Sequence, residues 1–253
     1  MAANWKMNKL VWEAEEYVDG LLPKISGAEE VDVAVFAPFT CLPVVVRKTQ
    51  GTSILAGAQN FYYEDSGAFT GEVSAPMLQD VGAASVIVGH SERRELFGET
   101  DEMVALKAAR AVGAGLLPVV CVGETKEERD GGEMWEKVSE QVRAVFERLD
   151  AKGLDGSAIV FAYEPIWAIG TGETATPGDA QDAIGKIRDL LGDAVGGGFA
   201  GGVRILYGGS IKPDNVGEIM AQKDVDGGLV GGASLDVGSF SELVNTASGE
   251  QAG

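Results

Sequence analysis

At positions 117–122 the chain reads Leu-Pro-Val-Val-Cys-Val, a run of apolar residues with no polar residue between them. A strand that shows one face to solvent alternates apolar and polar residues, whereas a parallel strand covered on both faces is apolar throughout. The run therefore predicts a buried parallel strand. Seven further short runs predict strands at Ala2–Lys6, Asp32–Phe36, Ile54–Ala58, Ser85–Val88, Ile159–Tyr163, Arg204–Tyr207 and Gly228–Val230.

Amphipathic stretches separate these runs. Within residues 133–149, four apolar side chains fall on one helical stripe: Val138, Val142, Val145 and Leu149. Pro177 suits the first turn of another helix, which continues through Ala180–Leu191. Eight strand–helix units spaced by roughly 30 residues predict an α/β protein with one closed (β/α)8 barrel. We expect a single barrel domain over residues 1–246 and a flexible C-terminal tail over residues 247–253.

The composition restricts the partners of the chain. Its 253 residues are 45% hydrophobic, which is enough for a full core, and its 36 glycines indicate many tight loops. The net charge of −19 argues against nucleic acid as a partner, because two polyanions repel each other. An anionic substrate would need local positive potential from backbone N–H groups and one or two lysines.

Metal sites, membrane spans and secretion are not expected. The two cysteines, Cys41 and Cys121, lack metal-ligand spacing, and the chain contains a single histidine. The longest apolar stretches, around Val33–Val46 and Ala111–Gly123, are too short to cross a bilayer. The first residues do not contain the apolar region of a signal peptide. These features predict a cytoplasmic protein without a metal ion or a membrane partner.

Two glycine-rich segments match the residue pattern of the dinucleotide-binding fingerprint but not its structural context, a strand directly before the glycines and a helix after them. Gly170–Ala175 is separated from the preceding predicted strand by a loop, and Gly196–Gly201 precedes a strand that it should follow. We therefore expect no nicotinamide cofactor, and no other cofactor is indicated.

The active site of a (β/α)8 barrel lies at the carboxyl ends of its strands. Polar or glycine-rich residues follow five of the predicted strands: Asn4, Lys6 and Asn8; His90-Ser91-Glu92; Glu164-Pro165; Gly208-Gly209-Ser210; and Gly231-Gly232. Because the barrel brings these strand ends together, we expect one shared site.

The same segments resemble the motifs of the triosephosphate isomerase family. The resemblance rests on five segments in the order that the family has, covering essentially the whole chain: 4–8 (NWKMN), 89–94 (GHSERR), 162–172 (AYEPIWAIGTG), 207–210 (YGGS) and 229–234 (LVGGAS). It implies a TIM barrel that interconverts dihydroxyacetone phosphate and D-glyceraldehyde 3-phosphate by proton transfer through an enediol(ate), without a cofactor. A glutamate base and a neutral histidine are the family's known assignment.

By this resemblance, Glu164 is the catalytic base and His90 the electrophile. The residues add a physical reason for a neutral imidazole. We expect Ser91 to be the N-cap of a helix with Glu92 in its first turn, so the positive end of the helix dipole faces His90 and disfavours its protonation. Lys6 is expected to supply positive charge for the phosphate and the oxyanion, and the resemblance assigns Glu92 as the anchor of this lysine.

The resemblance also implies a phosphate cradle and a lid. Asn4 is expected to be a catalytic residue that assists at the substrate's carbonyl oxygen. Asn4 and Lys6 are also expected to bind substrate, together with the cradle residues Gly170, Ser210, Gly231 and Gly232. Residues 165–175 resemble the mobile lid of the family, and Ile169 and Leu229 are expected to close over the base.

A homodimer is implied by the segment 59–72, which resembles the family loop that enters a neighbouring subunit. Thr70 at its tip is expected to complete the partner's site. Cys121 matches a family position near the base and is interpreted as a packing residue.

The chain also departs from the family pattern. The first strand has little length for pairing with its neighbours, Glu173 stands where the family often has lysine, and residues 194–202 (AVGGGFAGG) are expected to be floppy. Two alternatives remain: another phosphate-binding barrel, such as an isomerase or aldolase of a larger sugar, and a catalytically inactive homologue kept as a binding or structural protein. An aldolase needs a buried Schiff-base lysine at a central strand end, which we do not find. An inactive homologue would be expected to lack Lys6, His90 or Glu164.

Overall fold

The computed structural model describes residues 1–149, 154–169 and 175–249. Eight parallel strands form a closed barrel in chain order, which confirms the predicted (β/α)8 architecture. The strands are β1 Ala2–Asn4, β2 Val33–Ala37, β3 Ile54–Ala58, β4 Ser85–Val88, β5 Leu117–Val122, β6 Val160–Tyr163, β7 Arg204–Tyr207 and β8 Gly227–Val230.

The first strand is shorter than predicted, yet it closes the barrel. It pairs with β2 through three residue pairs, and with β8 through Ala2↔Leu229 and Ala3↔Val230. The prediction that it extends to Lys6 was wrong, because Lys6 has φ +52, a left-handed conformation that cannot continue a strand. The end of β1 therefore turns Lys6 out of the sheet.

Helices cover the outside of the barrel. The described residues form α1 Val11–Leu21, α2 Leu42–Thr49, α3 Ala75–Asp80, α4 Ser91–Phe97, α5 Asp101–Gly113, α6 Lys126–Asp130, α7 Met134–Arg148, α8 Pro177–Ala194, α9 Gly197–Gly202, α10 Val216–Met220 and α11 Val237–Ala247. Helix α7 matches the predicted amphipathic stretch, and Pro177 stands in the first turn of α8 as expected. Within the described segments, none of the helices combines the length and apolar character that a membrane crossing requires.

The core has two layers. The larger layer lies between the strands and the helices. The smaller consists of strand residues alone and fills the barrel: Ala2, Phe36, Ile87, Val119, Cys121, Val160, Ala162, Leu206 and Leu229. Phe36 can occupy this space because Gly57 on the neighbouring strand has no side chain; a Cβ there would lie 2.5 Å from the ring.

The expectation that residues 194–202 are floppy was wrong. Gly196, with φ +120, leads into helix α9. Phe199 on this helix is buried, and its ring meets that of Phe146 edge to face with 5.7 Å between centroids. The Arg188 Nη1 donates hydrogen bonds to the carbonyls of Ala200 and Val203 at 2.9 and 3.0 Å. One buried aromatic residue and one arginine therefore order a segment whose glycine content suggested the opposite.

The C-terminal boundary also differs. Ala247, expected to begin the tail, is the last residue of α11 and packs against the core. The expected tail otherwise includes residues 250–253, which lie outside the described residues.

A pair of substitutions in α9 tests whether this helix is packed. Phe199→Ala should lower the free energy of unfolding by about 3 kcal/mol, because it removes a buried ring. Gly201→Ala should raise it by about 0.5–1 kcal/mol, because a Cβ at Gly201 meets no atom within 4 Å and alanine favours the helix. Urea denaturation would measure both changes. A floppy segment would leave both variants equal to wild type.

Candidate active site

A cavity of about 790 Å³ lies at the carboxyl ends of the strands. Its lining includes eleven of the residues singled out from the sequence: Asn4, Lys6, His90, Glu164, Ile169, Gly208, Gly209, Ser210, Leu229, Gly231 and Gly232. Gly170, also expected in the phosphate cradle, lies outside the described residues. A smaller cavity of about 300 Å³ at the opposite mouth of the barrel is lined in part by Ala2 and Leu206 and includes none of the predicted site residues.

Glu164 directly follows β6 and is 2% exposed. Its Oε2 accepts a hydrogen bond from the Ser91 N–H at 2.9 Å, and its Oε1 lies 3.0 Å from the His90 Nε2. The carboxylate is therefore held at the first turn of α4, where backbone N–H groups and the helix dipole favour a negative charge.

Two glycines make room for Glu164: Gly208, which belongs to a strand-end segment expected at the site, and Gly123, which the sequence analysis did not assign to it. A Cβ at Gly123 would lie 1.8 Å from the Glu164 carbonyl oxygen, and one at Gly208 would lie 2.9 Å from its Cγ. Each glycine directly follows a strand, β5 and β7, that flanks β6. The position of Gly123 directly after a neighbouring strand is a signal by which it could have been found.

The predicted N-cap of α4 was wrong by one residue. His90 is the N-cap, its Nδ1 accepts a hydrogen bond from the Glu92 N–H at 3.2 Å, and Ser91 is the first helical residue. The imidazole nitrogen replaces the hydroxyl oxygen of a typical cap, which leaves the Ser91 N–H for Glu164. Because Nδ1 is an acceptor, the proton of the neutral ring is on Nε2, which lies 3.0 Å from the Glu164 Oε1.

Lys6 projects from the turn that ends β1. The Asn4 Oδ1 accepts from the Lys6 N–H at 3.0 Å, and the Gln59 Nε2 donates to the Lys6 carbonyl at 2.9 Å. These bonds hold a left-handed backbone that costs a non-glycine residue about 1–3 kcal/mol. The Lys6 Nζ bonds to the Glu92 Oε1 at 2.6 Å, and a Cβ at Gly231 would lie 3.2 Å from the Lys6 Cε. Nothing in the sequence pattern singled out Gln59 for this contact.

The loops after β7 and β8 form the other wall of the cavity. The Asn215 Nδ2 donates to the Ser210 carbonyl at 3.0 Å, which holds the loop after β7. Gly232 begins a 3₁₀ turn, Gly232–Leu235, and a Cβ at Gly232 would meet no atom within 4 Å. Glycines here leave the backbone accessible to a ligand, as in the phosphate sites of other barrels.

Cys121 points into the barrel near Glu164 and is fully buried. Burial raises the pKa of its thiol well above the ordinary value, and the negative charge of Glu164 raises it further. A protonated thiol is a poor nucleophile, so the structure agrees with a packing role.

The site combines a buried carboxylate, an imidazole N–H donor and an ammonium group. This set can remove a proton from carbon and stabilise the oxyanion that forms. No three His, Cys, Asp or Glu side chains among residues 1–149, 154–169 and 175–249 are grouped to hold a metal ion.

The comparison with known proteins agrees with this geometry. The family model described as "Triosephosphate isomerase" matches residues 1–247. A triosephosphate isomerase of Rubrobacter xylanophilus is 72% identical over 251 residues, covering 98% of this chain and 97% of the relative. The enzymes of Roseiflexus castenholzii and Moorella thermoacetica are each 51% identical, covering 97% of this chain and 96% and 97% of their own lengths. The chain belongs to the triosephosphate isomerase family.

Proposed function

We propose that this chain interconverts dihydroxyacetone phosphate and D-glyceraldehyde 3-phosphate by proton transfer through an enediol(ate). The observation that carries the proposal is the meeting of Glu164, His90 and Lys6 in one cavity at the strand ends of a barrel of this family. The three groups come from different strands and supply the base, the neutral donor and the positive charge that the reaction requires.

Glu164 is proposed as the base. In the structure, its Oε1 lies 3.0 Å from the His90 Nε2, and its Oε2 accepts from the Ser91 N–H. A substrate whose carbonyl oxygen accepts the Nε2–H would therefore be bound next to Oε1, the oxygen that would take the proton, while the Ser91 N–H continues to hold Oε2.

His90 and Lys6 are proposed to stabilise the enediolate oxygens. The imidazole donates from Nε2 because Nδ1 accepts from the helix. A neutral donor can shuttle a proton between the two oxygens, which an always-charged group cannot do as readily. Lys6 adds charge next to the same cavity, with Glu92 fixing its ammonium group and Asn4 fixing its backbone.

The substrate phosphate is proposed to bind at Ser210, Gly231 and Gly232, with Gly170 as an untested fourth member. Backbone N–H groups and Lys6 would supply the positive potential there, which answers the difficulty posed by a net charge of −19. Ile169 and Leu229 are the apolar part of the lining and would exclude water from the enediolate.

The proposal includes a homodimer. Large apolar side chains are exposed on the rim that carries the site: Met7, Phe39, Phe69, Met77, Leu96 and Phe97. A cavity of about 290 Å³ among them is lined by Lys6, Met7, Phe39, Glu92 and Phe97, so a partner's loop seated there would adjoin the catalytic lysine. Exposed apolar patches of this kind mark protein interfaces.

The loop that carries Thr70 is stabilised by a contact between two of its own aromatic rings, those of Tyr62 and Phe69, with 4.5 Å between centroids.

A cytoplasmic location is part of the same proposal. Cys41 and Cys121 are buried and are not paired with each other, so the fold does not depend on an oxidising compartment.

The aldolase alternative gains no support from the structure. Lys107 is buried, but it lies on α5, where its ammonium group bonds to Glu99 and to Asn60. It does not line the cavity at the strand ends.

Shortening the base tests its role. Glu164→Asp should lower kcat about 100-fold or more, with little change in KM, because withdrawing the carboxylate by about one methylene misplaces it for proton transfer. A coupled assay of glyceraldehyde 3-phosphate turnover measures both constants. Glu147→Asp on the exposed face of α7 is the matched control and should keep wild-type kinetics. A fully active Glu164→Asp would remove Glu164 as the base, and an inactive, well-folded wild type would refute the isomerase assignment.

The dimer is tested at the loop tip. Thr70→Arg should shift the sedimentation velocity profile towards the mass of one chain and lower kcat at the same dilution, because a bulky cation cannot enter the partner's cavity. Ser26→Arg, an exposed position near the opposite mouth of the barrel, controls for the added charge. A wild-type chain that sediments as a fully active monomer at micromolar concentration would contradict the proposed dimer.

A further inference from the structure

The segment between β6 and α8 is attached to the barrel at both of its described ends. At the first end, the Trp167 Nε1–H donates to the Glu124 Oε1 at 2.9 Å, and the Ile166 N–H donates to the Glu124 carbonyl at 3.2 Å. At the second end, the Thr176 Oγ1 accepts from the Asp179 N–H at 3.1 Å, and the Thr176 N–H donates to the Asp179 Oδ2 at 2.9 Å. Glu124 and Asp179 are thus the two anchors of the segment.

One arginine connects these two anchors. Arg129 on α6 donates from Nη1 to the Glu124 Oε1 at 3.1 Å and from Nη2 to the Asp179 Oδ1 at 2.7 Å. Its Cζ also lies 4.4 Å from the centroid of the Trp167 ring, within the range of a cation–π contact. A planar guanidinium can make these three contacts at once, which a lysine ammonium cannot.

Asp179 engages the two sides with different oxygens. Its Oδ1 faces Arg129 and its Oδ2 faces Thr176. The guanidinium and the start of α8 therefore share one carboxylate. Contacts therefore run without interruption from Thr176 through Asp179 and Arg129 to Trp167 at the other end.

Arg129 also has a purely structural use that must be separated from this coupling. Glu124 is fully buried, and burial raises its pKa; hydrogen bonds from Tyr163, Trp167 and Arg129 oppose that rise. Removing the arginine would leave a buried carboxylate without its counter-charge, which destabilises a fold whatever the arginine does for the reaction.

We propose that Arg129 is a positioning residue: by joining Glu124, Trp167 and Asp179, it makes the two ends of the segment between β6 and α8 behave as one unit. That unit holds Ile169, which lines the same cavity as Glu164. The coupling rests on the geometry alone, whereas its catalytic consequence rests on the proposed isomerase function.

The coupling is tested with Asp179→Asn by amide hydrogen exchange. The asparagine oxygen can still accept from the Thr176 N–H, so the start of α8 is retained, but its amide group cannot accept from Arg129. Exchange should accelerate by about tenfold or more at Ala168 and Ile169, whose amides bond to the carbonyls of Pro165 and Ile166. These amides lie at the end of the segment that Asp179 does not touch.

Arg204→Lys is the matched control for this experiment. Arg204 forms an ion pair with Asp32 at 2.5 Å at the opposite mouth of the barrel, so its substitution changes a charged pair far from the segment. It should leave exchange at Ala168 and Ile169 unchanged. Acceleration in Asp179→Asn that is confined to Thr176 and the start of α8 would overturn the coupling.

The catalytic consequence is tested with Arg129→Lys, which keeps the charge beside Glu124. We expect kcat to fall about tenfold with KM within about threefold of wild type, because the reacting groups are less well positioned while the phosphate site is intact. A second readout is the fraction of turnovers that release inorganic phosphate, which should rise several-fold because a poorly enclosed enediolate can eliminate phosphate.

In this elimination, the oxyanion on carbon 1 re-forms a carbonyl, the carbon–carbon double bond shifts to carbons 2 and 3, and the bond from carbon 3 to the phosphate oxygen breaks. Phosphate then leaves with the electron pair.

A purely structural role predicts a different result. Arg129→Lys would then lose free energy of unfolding while the phosphate fraction stayed at the wild-type level, and that pattern would overturn the positioning role. Wild-type kinetics in both Arg129→Lys and Asp179→Asn would overturn it as well. An inactive wild type would refute the proposed function instead, and the exchange experiment would still decide the coupling.

Discussion

Helix α4 begins with the imidazole of His90 as its cap. The Glu92 N–H donates to Nδ1, and this single hydrogen bond leaves the ring's proton on Nε2, where it faces Glu164. The next amide of the helix, that of Ser91, holds the other oxygen of the same carboxylate. The orientation of the imidazole and the position of the proposed base therefore both depend on how one short helix starts.

Closure of the barrel supplies the rest of the arrangement. Lys6 at the end of β1 and Glu92 on α4 are 86 residues apart in the chain, yet their side chains bond at 2.6 Å. Glu164 fits between β5 and β7 only because Gly123 and Gly208 lack side chains. A barrel that brings five strand ends together can assemble a base, a donor and a charge from residues that are individually unremarkable.

The net charge of the molecule is opposite to the charge that a site for a phosphorylated substrate needs. The chain as a whole carries −19, and such a surface repels a phosphorylated substrate. At the cavity, a left-handed turn orients Lys6, and the loop after β8 contributes Gly231 and Gly232 to the lining. Beside the segment between β6 and α8, the Arg129 guanidinium pairs with the fully buried Glu124 and also with Asp179. One cation therefore supplies the counter-charge of a buried carboxylate and contacts the anchors of both ends of that segment.

The sequence by itself determined the barrel and the set of candidate residues. Mostly apolar runs of four to six residues predicted β3, β4, β5 and β7 with their observed bounds, because strands buried on both faces have few polar residues. Local patterns did not decide the end of β1, where the left-handed Lys6 donates its N–H to Asn4 and accepts at its carbonyl from the distant Gln59. They misplaced the cap of α4, which is the His90 imidazole accepting from the Glu92 N–H, while the Ser91 amide is held by Glu164 from a distant strand end. They also missed the order of α9, which comes from the docking of Phe199 on Phe146. Only the tertiary structure decided these features, because each depends on a partner that is distant in the chain, and such contacts leave no local trace in the sequence.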